Sequence, residues 1–163
     1  MRPRVTRMVA SISRRTCPRN RAPHRPTRPC APATEYCTPG ESHQFNPTCG
    51  DEATVHAEIS DSEPHTIERL VWDGHGCSIS QASLSVMVDL CAGKTVDEAM
   101  ELFRDFHELM ESRGAGLQDE AKEEKLEDAV VFQGVSKYPM RIKCALLGWE
   151  GMRDSVAKAL AAK

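Results

Sequence analysis

The sequence predicts an α+β domain, a small antiparallel sheet packed against helices, behind a disordered N-terminal arm. Three observations carry this. Composition changes sharply near Gln44, apolar residues alternate between residues 52 and 74, and the apolar period becomes helical after Gly76. Strands first and helices afterwards is the α+β order. At 163 residues the chain has the length of one domain and can build a core without disulfide staples.

The arm comes first. The formal charge of −3 hides two halves: residues 1–44 carry nine Arg, no Lys and only Glu35 and Glu41, or +7, which leaves −10 for the rest. Seven of the ten prolines lie there too, too often for helix or strand. Three origins fit an Arg-rich, acid-poor segment: an organelle targeting peptide, a basic arm for nucleic acid, or a mis-started or out-of-frame reading of a GC-rich gene. The third fits best, because Arg without Lys, among Pro, Ala, Thr and stray Cys, has the look of codon bias. The expected domains are therefore 1–44, disordered, and 45–163, folded.

From residue 52 the chain reads as a folded domain. Val55, Ala57 and Ile59 alternate with Thr54, His56 and Glu58 as a half-buried strand, and Ile67, Leu70, Val71 and Trp72 mark a second, with DSEPH as the turn between. Ser78 or Ser80 is expected to cap a helix carrying Leu84, Met87, Val88 and Cys91, which Gly93 ends. Thr95 with Glu98 forms a capping box for the next, whose stripe is Val96, Ala99, Met100, Phe103, Phe106 and Met110. An acidic, glycine-broken stretch leads to a short helix around 126–132. A last helix, Pro139 to Leu160, is expected to bend near Gly151.

Seven cysteines is an odd count, and no long apolar segment precedes them, so free thiols or metal ligands in a reducing cytoplasm fit better than a disulfide framework. No run of about 18 uncharged apolar residues indicates a membrane span. Cys49 in NPTCGD and Cys77 in DGHGCSIS sit in glycine-flanked turns, and Cys144 in YPMRIKCALLGW sits near a helix start, positions that favour a thiolate. Three thiolates and the Asp51 carboxylate match the four tetrahedral ligands of Zn²⁺. Spacing alone leaves two readings open, a metal site or unrelated turn and core cysteines, because no CxxC pair is present.

NPTCGD, the glycine-flanked GCSIS and RIKCALLGW, in this order over residues 45–163, resemble the U-type iron–sulfur assembly proteins, the SufU branch of the IscU/NifU-like family. The resemblance implies an IscU-like fold with metal ligands at Cys49, Asp51, Cys77 and Cys144. It further implies that Cys49 accepts persulfide sulfur from a cysteine desulfurase for delivery to the SUF assembly machinery. Lys143 stands where the IscU branch has a histidine, and the segment around 104–125 is the extra one typical of SufU. Both point to zinc-dependent sulfur transfer; the alternative is a scaffold for a transient [2Fe-2S] cluster. Relatives also begin with an amphipathic helix and a strand before NPTCGD. Neither is read before Phe45, so the sheet is expected to be one strand short.

Zinc is redox-inert and keeps thiolates ionised, while one hard carboxylate among soft sulfurs is its less firmly matched partner. Arg141, three residues before Cys144, is expected on the same helix face, to offset the excess negative charge and to hold Asp51 when it leaves the metal. His75 is read as a solvated loop residue, Cys91 as a small core hydrophobe, and His56, His65 and His107 as ordinary. Cys17, Cys30 and Cys37 fall in the arm as incidental residues. The rival of another class is a small zinc-stabilised interaction module without sulfur chemistry. Nucleic-acid binding by the arm ranks below both.

Overall fold

The protein is described by a computed structural model over residues 40–163. The arm expected at 1–44, with Cys17, Cys30 and Cys37, therefore lies outside the described residues as far as position 39. Three antiparallel strands come first, β1 (Glu41–Asn46), β2 (Asp51–Ile59) and β3 (Ile67–His75), in the order β1-β2-β3. Four helices follow: α1 (Ser78–Cys91), α2 (Val96–Glu111), α3 (Glu120–Leu126) and α4 (Pro139–Ala161), with a 3₁₀ segment, Glu127–Lys137, before α4. The α+β architecture expected from the order of periods is the one observed.

Strand β1 corrects the expectation that the sheet is one strand short. Residues 41–44, assigned by composition to the arm, pair with β2 from Glu41 opposite His56 to Asn46 opposite Asp51. The strand was hidden because its polarity is inverted. Its buried positions are Ser42 and Asn46, whereas Phe45 is 57% exposed. Gln44 satisfies its amide with Ser42 Oγ and, across to α4, with Asp154 Oδ2. Alternation of Ala53, Val55, Ala57 and Ile59 made β2 legible, and all four are buried.

α4 covers the inner face of the sheet. Gly151 is the point of closest approach, where a Cβ would come within 2.8 Å of Val55 Cγ2. The helix runs through this position without interruption, and Gly151 serves its packing on β2. Trp149 stacks on Phe106 of α2 at 4.5 Å between centroids, and Phe132 meets Phe106 edge-on at 5.8 Å. Ser83 of α1 donates to the Ala145 carbonyl of α4 and accepts from Trp149 Nε1. This buried chain fixes α1 against α4 one residue beyond Cys144. The capping box of α2 forms as expected, Thr95 and Glu98 each bonding the other's backbone amide. No helix among the described residues is long and apolar enough to cross a membrane.

Candidate metal centre

The four expected ligands come from three places far apart in sequence. Cys49 and Asp51 belong to the β1–β2 hairpin, Cys77 to the entry of α1, and Cys144 to the second turn of α4.

The hairpin turn spans residues 47–50. Gly50 closes it with φ +71°, a left-handed conformation that favours glycine, and its amide donates to Asn46 O at 2.9 Å. Asn46 braces the turn from inside, its Oδ1 accepting from the Thr48 amide at 3.1 Å. This leaves Cys49 exposed at the tip and turns Asp51 inward, where it is 1% exposed.

On the other side Cys77, not Ser78 or Ser80, is the N-cap of α1. Its amide donates to Asp51 Oδ1 at 2.9 Å and its thiol to Asp51 Oδ2 at 3.3 Å. The carboxylate thus accepts at a helix N-terminus, where the backbone dipoles favour negative charge. Ser80 turns back instead of capping, donating to Cys77 O at 2.9 Å and lying 3.6 Å from its sulfur. Gly76 makes the approach feasible, since a Cβ there would meet Ser80 Oγ at 2.4 Å and Asp51 Cγ at 3.0 Å.

Cys144 is buried and its Sγ lies 3.2 Å from Cys49 Sγ. One donor atom each of Cys49, Asp51 and Cys144 lie within 4.8 Å of one another. Cys77 stands outside this triplet but touches it through Asp51. Burial raises the Asp51 carboxyl, but hydrogen bonds from Cys144, from the Cys77 amide and thiol and from Ser80 outweigh it, so its pKa falls below the ordinary value. For Cys144 the causes act together: burial first, then hydrogen bonds with Cys49, Asp51 and Cys77, push the thiol well above its usual range.

Three sulfurs and a carboxylate oxygen are a donor set suited to Zn²⁺. Zn–S bonds of about 2.3 Å imply sulfur–sulfur edges of about 3.8 Å, so the pair at 3.2 Å needs to open only slightly. The residues fit the ion.

Arg141 is engaged elsewhere in this structure. Its guanidinium lies over the Tyr138 ring, 4.9 Å from the centroid, and the partners of Asp51 are Cys77, Cys144 and Ser80. His75 ends β3, not a loop, and pairs with Glu52 across the sheet at 3.2 Å. Cys91 is fully buried. Two residues at the centre were missed by sequence reasoning, Asn46 and Ser80. Both hold site atoms, and the only signals for them were an Asn-Pro turn start and a serine near a helix start.

The family described as NifU-like N terminal domain matches residues 16–145 of the chain. A zinc-dependent sulfurtransferase SufU of Bacillus subtilis (strain 168) is 36% identical over 113 residues, 69% of this chain and 71% of the relative. An iron–sulfur cluster assembly scaffold protein IscU of Streptococcus pyogenes serotype M1 is 33% identical over 114 residues, covering 70% and 67%. Among solved structures, a putative iron–sulfur cluster assembly scaffold protein for the SUF system from Fervidobacterium islandicum AW-1 superposes with a TM-score of 0.60 at 35% identity, covering 69% of this chain and 76% of that one.

Proposed function

This chain belongs to the NifU-like N-terminal domain family, and from that premise we propose that it serves iron–sulfur cluster assembly as a zinc-dependent sulfurtransferase. In this reading it accepts persulfide sulfur from a cysteine desulfurase and passes it to the SUF assembly machinery. The observation that carries it is the asymmetry of the site. Cys144 and Asp51 are buried and Cys77 is half-buried, while Cys49 alone among the four is exposed. A protein donor can reach one sulfur, and that sulfur is Cys49.

Cys49, Asp51, Cys77 and Cys144 would hold the ion. When bound, Zn²⁺ keeps its sulfur donors deprotonated near neutral pH without redox chemistry of its own. The chain's residues do the rest. The Cys77 amide and the start of α1 hold Asp51 as a carboxylate, and the Gly50 turn presents Cys49 outward. As thiolate, Cys49 attacks the terminal sulfur of the donor's persulfide: a new S–S bond forms on Cys49, the donor's S–S bond breaks, and its electron pair leaves on the donor cysteine as thiolate. Exposed Phe45, Tyr138 and Met140, on the elements that carry Cys49 and Cys144, offer apolar surface to such a partner. Free thiols of this kind persist in a reducing cytoplasm, the compartment proposed.

Incubation with a desulfurase charged from ³⁵S-cysteine tests the role of Cys49. Wild type carries label that reductant removes, and Cys49→Ser carries none; a labelled Cys49→Ser protein overturns the assignment. The names of the streptococcal and Fervidobacterium relatives favour a second reading, a scaffold for a [2Fe-2S] cluster. Metal content after aerobic purification separates the two. One zinc per chain supports transfer, and a transferable cluster with visible iron–sulfur absorption supports scaffolding.

A further inference from the structure

Asn46 joins the two halves of the site that sequence separates most. It is 4% exposed, and both ends of its amide are used. Oδ1 accepts from the backbone amide of Thr48 at 3.1 Å, and Nδ2 donates to Cys144 Sγ at 3.4 Å. The orientation is not arbitrary. A backbone N–H can only donate, so the atom facing Thr48 must be the oxygen, and the NH₂ is left for the sulfur. The same carboxamide therefore grips the turn that carries Cys49 and the sulfur of α4 that lies 3.2 Å from Cys49.

We infer that Asn46 is a positioning residue of the metal centre: its oxygen fixes the Cys49 turn, and its N–H orients the Cys144 sulfur toward the site. This rests on the four-ligand reading above and extends it to a residue that is not itself a ligand. An N–H donor to a ligating sulfur draws electron density from it and orients it. It matters most where several negative donors share one ion. Asn46 offers Cys144 a nitrogen donor, whereas Cys49 and Asp51 place a sulfur and a carboxylate near it.

The two contacts separate by substitution. Asn46→Asp keeps an oxygen for the Thr48 amide and the shape of the side chain, but replaces the N–H facing Cys144 with a carboxylate oxygen. Asn46→Ala loses both contacts. Full-length wild type and both variants are loaded with Co²⁺, a spectroscopic stand-in for zinc. Affinity is read by chelator competition, the sulfur-to-cobalt charge-transfer band by absorption, and Thr48 amide exchange by NMR on the metal-free proteins.

In Asn46→Asp, cobalt binding falls by about 10- to 100-fold, as for other outer partners of metal ligands. Its charge-transfer band shifts, while Thr48 stays protected. Asn46→Ala loses the protection as well and binds more weakly still. Should Asn46→Ala fail to fold, the Asp variant carries the test alone. An Asn46→Asp protein with wild-type affinity or tighter, or with an unmoved band, overturns this inference. Wild type that takes up no cobalt overturns the four-ligand reading, and this inference with it; the two failures are thus distinct.

Discussion

Helix α1 has a cysteine at each end, and the two could hardly differ more. Cys77 is its N-cap, half-buried, with amide and thiol both engaged by Asp51. Cys91 is its last residue, fully buried among apolar side chains, and desolvation pushes its thiol up to about 12 against a slight opposing pull from Lys94. At the N-terminus the unpaired amides and aligned dipoles favour an anion; at the C-terminus the dipole opposes one. One residue type is thereby a polar partner of the Asp51 carboxylate at one end and a small hydrophobe at the other. Position on the helix sets the chemistry of a cysteine here, and its mere presence in the sequence does not.

The most direct way to break this comparison is to remove each thiol in turn. Cys77→Ala is expected to weaken Zn²⁺ or Co²⁺ binding by more than about 100-fold, beyond the range of outer-partner changes. Cys91→Ala is expected to leave it within about twofold. Chelator competition on both variants checks this, and equal losses would mean that the two thiols are not distinct in role.

Stability should invert the ranking. Cys91→Ser places a hydroxyl in an apolar pocket and is expected to cost about 1–3 kcal/mol in metal-free protein. Cys77→Ser keeps a small polar group beside Asp51 and Ser80 and should cost under about 1 kcal/mol. Urea midpoints at constant m-value give the answer.

The smallest effect sharpens the polar end alone. The Asp51 carboxyl has a folded-state pKa below its ordinary 3.8, so the folded chain holds its proton less readily than the unfolded one. Its contribution is fully present above the unfolded value and is lost as pH falls through the lower folded value. Metal-free Asp51→Asn should therefore lack a small part of the acid-induced loss of stability below about pH 4, on the order of 1 kcal/mol or less. Urea titrations of both proteins from pH 5 to pH 2.5 resolve it; identical curves would remove Asp51 from the account.

Much of this centre was legible before the fold was known, and for a physical reason. Cys49, Cys77 and Asp51 stand next to glycines that a turn requires, Gly50 with positive φ and Gly76 with no room for a Cβ. Such punctuation survives in one dimension. The alternation of β2 and the stripe of α2 were legible likewise, because one face of each is apolar and buried. Strand β1 was not, since its buried face is serine, glutamine and asparagine and its aromatic side chain points to solvent. The stacking of Arg141 was not legible from spacing alone. Arg141 lies one turn before Cys144, yet the ring three residues before it takes the guanidinium first. Asn46 and Ser80 act through contacts 98 and 3 residues away. The long contact depends on tertiary packing, and the short one on how a single turn closes.

The separation of 95 residues between the Cys49 and Cys144 sulfurs, which end 3.2 Å apart, bears on synthesis. A ribosome releases the hairpin and α1 long before α4, so a growing chain holds the first three donors without the fourth. Until α4 has emerged and docked on the sheet, the Cys49 sulfur has no Cys144 sulfur beside it. Closure of the cluster thus waits on α4, the element that brings Cys144 to Cys49.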